Sequence, residues 1–311
     1  MNKLDQNFKN KKILIIGGTG FIGSRLADKL CKICNKIYVI SLNKYKNKNN
    51  DIYYFQIDLS KEDNINKFFQ KHSFDYIFNL GFYVDHSLYS NKGYKIINDH
   101  LFSTIHQFKF INKKKLKRYI YVGSADEYEY KNKHSSKEIE REVSRTPYSF
   151  SKSSSIHFLK MLHLSEQWPV SIARIFLTYG PGQKENRIIP YLIKQGYNKG
   201  YVNVSSGNQI RDFCYIDDIV DGLIKIALNK NSIGLIINLA SGKPIKIKNI
   251  IQMISKKLKF KVNFGKYSKK ITESSFQVAD ISIAKKVLKW KPKVSLEEGI
   301  QLTIDHELSK K

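Results

Sequence analysis

The chain has 311 residues and a hydrophobic share of 41%, enough for one large domain or two closely joined ones and too apolar for a disordered chain. Its formal charge is +27, but only seven of the 54 basic residues are arginine and the lysines spread along the whole chain, which argues against a nucleic-acid patch. No apolar stretch of about 18 residues is present to span a membrane, and the polar start, residues 1–12, lacks a signal-peptide core, so a cytoplasmic protein is expected.

The apolar run Ile13-Leu14-Ile15-Ile16, ending in glycines, reads as a strand buried on both faces. A helical pattern follows from Ile22 to about Ile33 and carries Cys31 and Cys34. That C-x-x-C has no second pair to complete a zinc site, so no metal is expected and core packing is the reading. Further strands are expected at Ile37–Ile40, Tyr53–Ile57, Tyr76–Leu80, Tyr119–Val122 and Val170–Ile175. Helices are expected over 96–112 and from Tyr148 to about Ser165. The basic run Lys113–Arg118 reads as a solvated helix end, and residues 130–145 as a flexible loop above the site. This alternation predicts an α/β, Rossmann-like, doubly wound parallel sheet. It lapses after Tyr179-Gly180-Pro181-Gly182. Asp217 then opens a helix, read as its N-cap, and Gly234–Leu239 reads as one more strand of the large sheet, while Cys214 reads as core. The expected organisation is a dinucleotide-binding domain over 1–178 plus 212–242. A smaller, discontinuous C-terminal domain for the substrate is expected over 179–211 plus 243–311.

Two patterns carry chemistry. Gly17, Gly20 and Gly23 follow the first strand and open the first helix at G-x-x-G-x-x-G spacing. Glycine permits a tight turn and close approach of backbone to a pyrophosphate, and the helix start supplies the positive end of a dipole. Tyr148 and Lys152 are four residues apart on a helix that starts after Pro147, so they share a face. An ammonium near a phenol favours the phenolate and draws its pKa below the usual value of roughly 10. Such a pair can move the proton that accompanies hydride transfer at a carbonyl. The spacing alone is weak in a chain this rich in Tyr and Lys.

In their order, these motifs resemble the extended short-chain dehydrogenase/reductase family, in the NAD-dependent epimerase/dehydratase branch that acts on nucleotide sugars. The resemblance runs from Ile13 to about Pro292. It takes in Asp58-Leu59, Asn79-Leu80-Gly81, Gly123-Ser124-Ala125-Asp126-Glu127-Tyr128, Tyr179-Gly180-Pro181-Gly182, Arg187-Ile188-Ile189-Pro190, Arg211-Asp212-Phe213 and Trp290-Lys291-Pro292. It implies Ser124, Tyr148 and Lys152 as catalytic residues. The cofactor contacts it implies are Gly17, Gly20, Phe21, Ile22, Gly23, Asp58, Leu59, Leu80, Gly81, Tyr148 and Lys152. Ser124, Asp126, Arg187 and Arg211 are the implied contacts to a nucleotide-diphosphate sugar, with both arginines placed for the diphosphate. A homodimer joined through the helices around 96–112 and 148–165 is also implied.

Departures narrow the expectation. Ser41-Leu42-Asn43-Lys44 ends the second strand without the acid that holds the ribose hydroxyls of NAD, so NADP(H) is favoured over NAD(H), with Lys44 or Lys46 to meet a 2′-phosphate. Ala125 stands where dehydratases of the branch carry the first of two acids. Leu177 and His100 each occupy a position where asparagine is common. The expected activity is reduction of the keto group of an NDP-4-keto-6-deoxy sugar with Tyr148 as proton donor, and residues 182–190 and 207–213 resemble the corresponding region of CDP-abequose and CDP-paratose synthases. The alternative is a 4-epimerase with tightly bound NAD. A non-enzymatic scaffold is disfavoured by the intact Ser124, Tyr148 and Lys152.

Overall fold

A computed structural model of the chain describes residues 7–34, 36–44, 51–129, 133–267 and 274–309. Six strands, β1 (Lys12–Ile16), β2 (Lys36–Ser41), β3 (Ile52–Gln56), β4 (Tyr76–Asn79), β5 (Arg118–Ser124) and β6 (Val170–Ile175), join a strand at Ile236–Leu239 in one parallel sheet. The spatial order is Ile236–Leu239, β6, β5, β4, β1, β2, β3. Chain order therefore reverses direction between β1 and β4, whose registered partners run from Ile13 with Tyr76 to Ile16 with Asn79. In such sheets ligands bind beyond the carboxyl ends of the strands at this reversal. The apolar runs read from the sequence are those of β1 and β4, buried from Ile13 to Ile16 and from Tyr76 to Asn79.

Helices α1 (Phe21–Leu30) and α2 (Glu62–Lys71) follow β1 and β3. A third helix, α3, spans residues 89–110, with π-helical turns at Tyr89–Gly93 and Asn98–Phe102, and so begins earlier than the expected 96. Helix α4 runs Pro147–Glu166. Ile156, Leu159 and Leu162 of α4 bury against Tyr119, Tyr121, Val170 and Ile172 of the sheet.

Arg118 departs from the expectation of a solvated basic end. It is 3% exposed in β5 and donates to the Ser171 and Ser232 hydroxyls and to the carbonyls of Ile226 and Asn229. Burial lowers its pKa to about 10, and the surrounding oxygens replace the water it gives up. Cys34 and Cys214 are buried and Cys31 partly so, and none of the three is in a disulfide.

The chain divides into two compact units. The first comprises the described residues of Met1–Glu127 with Ser144–Arg174 and Val220–Ile237; the second those of Tyr128–Val143, Ile175–Ile219 and Asn238–Lys311. Residues 128–143, assigned by the sequence reading to the first domain, thus go with the second unit, where Ser136 bridges Ala279. Tyr130, Lys131 and Asn132 of that stretch lie outside the described residues.

In the second unit, the strand Ile210–Arg211 pairs with Ile245–Lys246 and Phe276–Gln277, and Tyr201–Asn203 pairs with Lys261–Asn263. Asp212 fastens these loops. Its buried carboxylate accepts from the Ser241 amide and hydroxyl, the Gly242 amide and the Ala279 amide. Asp217 is not an N-cap: its helix, Ile216–Leu228, starts one residue earlier and places Asp217 in the first turn, where the dipole still favours an acid. The next residue, Asp218, carries the fold. Its carboxylate accepts from the Lys293 and Val294 amides, and its carbonyl accepts from Trp290 Nε1. That gives Trp290-Lys291-Pro292 a fastening role in this unit.

Candidate functional site

The glycine turn is built from backbone alone. Gly17 has φ +77°, and a Cβ there would lie 2.6 Å from the Leu80 carbonyl oxygen. At Gly23 a Cβ would lie 2.3 Å from the Gly17 carbonyl oxygen. These two glycines let β1, α1 and the end of β4 approach. Gly20 differs: a Cβ there would meet only the Gly17 oxygen, at 3.2 Å, and it caps α1 without any side-chain hydrogen bond. The first amides of α1 therefore have no side-chain cap, an arrangement that fits a pyrophosphate.

The two kinds of glycine should behave differently. Gly23→Ala forces backbone against backbone and is expected to destabilise the fold by about 1–3 kcal/mol. Gly20→Ala should leave the melting temperature nearly in place and weaken dinucleotide binding, measured by fluorescence titration. Equal loss of stability in both variants would contradict this division.

Other expected cofactor contacts gather around this turn. Leu80 follows β4 and donates its amide to Ile16 O, and the Gly81 amide donates to Asn79 Oδ1. Asp58 follows β3. Burial pushes its pKa up, but hydrogen bonds from the Ser60 hydroxyl and amide outweigh this and hold it low. Leu59 is buried in the core of this unit, and Phe21 and Ile22 are half-buried in the first turn of α1. Thr19 and Ser41 hydroxyls meet at 2.7 Å, tying the glycine turn to the end of β2. Ser41, Asn43, Lys44, Tyr54, Phe55 and Gln56 line a cavity of about 240 Å³. Lys46 lies outside the described residues.

Helix α4 is started by a reciprocal cap. Thr146 Oγ1 accepts from the Ser149 amide, Ser149 Oγ accepts from the Thr146 amide, and Pro147 fills the first helical position. This sets where Tyr148 and Lys152 fall. Tyr148 is 5% exposed, with the rings of His86 and His100 set edge-on to it at 5.6 and 5.7 Å. Lys152 is 3% exposed and donates to Val122 O at 2.7 Å. Its ammonium sits 3.9 Å from the centre of the Phe82 ring and 5.9 Å from that of Tyr148.

Burial pushes the Lys152 pKa down to about 7 from the usual 10.5, while the Glu127 carboxylate pulls it back up. The unfolded chain binds this proton up to about pH 10.5 and the folded chain only to about 7. The cost of the buried ammonium is thus full below about pH 7 and fades toward 10.5. Lys152→Met is expected to melt higher than the parent at about pH 6, with the advantage shrinking by about pH 9. A variant that melts lower at about pH 6 would overturn this account.

Ser124 ends β5. Its Oγ accepts from the Asp126 amide at 3.2 Å, and its own amide donates to Glu127 Oε1 at 2.6 Å. Glu127 is fully buried against Arg174, with Nε to Oε2 at 2.5 Å. Gly123 makes room for this pair, since a Cβ would lie 2.6 Å from the Glu127 carboxylate. Asp126 stands 3.8 Å from His86 Nε2. Burial lowers the pKa of His100 to about 3, and Lys152 adds to this, so its ring is neutral. The structure thus brings Ser124, Asp126, Tyr148 and Lys152 together in one unit with the glycine turn. His86, Phe82 and Arg174 were not singled out, and Glu127 was quoted within the Gly123–Tyr128 motif without being given a role.

Arg187 and Arg211 lie in the second unit. Arg187 is exposed just before the helix Ile188–Lys199. Arg211 is 6% exposed, and its guanidinium donates to the carbonyls of Ile210 and Ser274. Leu177 lies in the strand Leu177–Tyr179 of the same unit. Among the described residues no cluster of metal-ligating side chains occurs, and no helix is long and apolar enough to cross a membrane.

The model of the NAD dependent epimerase/dehydratase family matches residues 13–240. The chain belongs to that family. Within it, the chain is 27% identical over 313 residues to a UDP-glucuronate 4-epimerase of Thermodesulfobacterium geofontis, covering 94% of each. It is 30% identical over 266 residues to a dTDP-D-glucose 4,6-dehydratase of Dictyostelium discoideum, covering 78% of this chain and 60% of that one. Among solved structures, the UDP-glucuronic acid 4-epimerase of Bacillus cereus, in complex with UDP-glucuronic acid and NAD, superposes with a TM-score of 0.85 at 26% identity. That match covers 96% of this chain and 100% of the other. An epimerase of Methanothermobacter thermautotrophicus has the same fold, with a TM-score of 0.90 at 21% identity over 99% and 95% of the two chains. Both curated relatives and the Bacillus cereus neighbour bear the names of nucleotide-sugar enzymes.

Proposed function

We propose that this family member is an NADP(H)-dependent oxidoreductase that reduces the ketone of an NDP-4-keto-6-deoxy sugar. The observation that carries this reading is the end of β2. Ser41 holds the place of an acid, bonds to Thr19, and opens on a cavity shared with Asn43 and Lys44. A neutral hydroxyl and an ammonium accept a 2′-phosphate that a carboxylate would repel.

In this reading the first unit holds the dinucleotide and the second the nucleotide sugar. The glycine turn and the first amides of α1 would hold the pyrophosphate, with Asp58, Leu59, Leu80 and Gly81 beside the remainder. When bound, the cofactor supplies the hydride. Ser124 positions the sugar oxygen, Tyr148 protonates it, and Lys152 orients the dinucleotide from beneath. Asp126 would add a polar contact to the sugar, and Arg187 and Arg211 would supply guanidinium groups for the diphosphate. A homodimer through α3 and α4 is supported by the exposed apolar side chains of Tyr94, Phe102, Phe150, Met161 and Leu164 on those helices.

The test is direct. The purified protein is denatured and any released nucleotide identified, and NADPH oxidation is followed with 4-keto-6-deoxy sugar nucleotides. An empty site with NADPH oxidation supports the reductase. Stoichiometric NAD sinks it and supports the second reading, a 4-epimerase, which the 27% identity to a UDP-glucuronate 4-epimerase favours. Ser41→Asp should shift preference from NADPH toward NADH by about 10- to 100-fold in kcat/KM, since a carboxylate there bonds the ribose hydroxyls and repels the phosphate.

A further inference from the structure

We infer that His86 and Asp126 form a second acid–base pair beside Tyr148, which exchanges a hydrogen on a carbon flanking the sugar ketone. The pair acts on the same keto sugar that the proposed reaction requires, and so depends on that reading. His86 Nε2 lies 3.8 Å from the Asp126 carboxylate, within ion-pair range, and the imidazole stands edge-on to Tyr148 at 5.6 Å. Tyr148 is almost fully covered, whereas the His86 side chain is 48% exposed and that of Asp126 23%. A buried proton donor for oxygen thus has an accessible imidazole next to it. Proton movement between Tyr148 and the ketone oxygen makes no use of this second pair.

The segment that carries His86 is fastened on both sides. Asp85 Oδ1 accepts from the Ser87 amide and hydroxyl at 2.8 and 2.5 Å. Tyr83 donates to Asp99 of α3 at 2.8 Å, and Lys95 holds the same carboxylate at 2.7 Å. His86 is therefore presented from an anchored turn. Asp126 is placed from the other side by the hydrogen bond its backbone amide donates to Ser124 Oγ.

A ketone within reach of Tyr148 and Ser124 acidifies the hydrogens on both flanking carbons. The His86 imidazole removes one such proton. The C–H electron pair forms a carbon–carbon double bond, and the carbonyl π electrons move to the oxygen, where the Tyr148 and Ser124 hydroxyls donate to it. Asp126 balances the imidazolium charge. Return of a proton from solvent restores the ketone, with deuterium incorporated in heavy water and inversion where it arrives on the opposite face. No oxidant or reductant is consumed.

The experiment incubates the full chain with UDP-, dTDP- or CDP-4-keto-6-deoxyglucose in heavy water without reduced cofactor, and follows the C3 and C5 hydrogens by proton NMR. Exchange at one of them is expected at least about 100-fold above the protein-free rate. In His86→Gln, whose half-exposed side chain leaves the core intact, exchange should fall at least about 10-fold further than NADPH oxidation by the same preparation. NADPH oxidation without exchange overturns the inference and leaves the oxidoreductase reading standing. Exchange that depends on His86, without any hydride transfer, upholds the pair and sinks that reading. Exchange that survives His86→Gln overturns the assignment, whether or not Asp126→Asn removes it. Neither activity on any of the three sugar nucleotides overturns both.

Discussion

Tyr148→Phe should lower turnover by about 100- to 10,000-fold while the protein still folds and still binds nucleotide. The phenyl ring keeps the edge-on contacts to His86 and His100, so packing around this nearly buried position survives. What is lost is the hydroxyl that, in the proposed reaction, passes a proton to the sugar oxygen. The measurement is kcat on a 4-keto-6-deoxy sugar nucleotide beside a melting curve and a dinucleotide titration. A Phe variant that keeps more than about a tenth of the parent rate removes Tyr148 from the chemistry. One that loses melting temperature along with rate shows a structural effect instead.

Arg174→Ala should be among the most destabilising single changes in the first unit, at about 3–5 kcal/mol. Both partners of the Glu127–Arg174 pair are fully buried. Burial raises the Glu127 pKa, and Arg174, with the Ser124 amide, pulls it down. Removing the guanidinium leaves a carboxylate without compensation in the core. It also loosens Ser124, whose amide Glu127 holds. Denaturant unfolding of Arg174→Ala, Glu127→Gln and the double variant supplies the check. The double variant should lose less than the sum of the two single changes. Strictly additive losses would show that the pair is not coupled. In either single variant kcat should fall more than KM rises, because the hydroxyl is displaced rather than the substrate site removed.

Much of this site can be read in the sequence because local rules write it there. The strand Ile13–Ile16 running into Gly17, Gly20 and Gly23 is a contiguous unit, so a short window reveals it. Tyr148 and Lys152 are joined by helical spacing, and the cap residues Thr146, Pro147 and Ser149 set their phase. Arg118 defeated the same style of reading. In sequence it belongs to a basic run, and only the serines and carbonyls brought from 53 to 114 residues away offset the cost of its burial. Asp217 and Asp218 show the same limit, since adjacent acids differ only in what the tertiary fold brings to them.

The family and the parallel sheet were legible in the sequence itself, through the order of its motifs and its periodicity, and the proposed set Ser124, Tyr148, Lys152 and the glycine turn was read from those same motifs. Only the tertiary structure decided that Lys152 is buried against Val122 and Phe82, that Glu127 and Arg174 hold Ser124 from behind, and that His86 meets Asp126 beside Tyr148. His86 and Asp126 lie 40 residues apart, and Glu127 and Arg174 lie 47 apart, and neither hydropathy nor spacing reports on such separations. Their proximity follows from the parallel sheet, which delivers the ends of successive strands to one edge whatever length of chain lies between them.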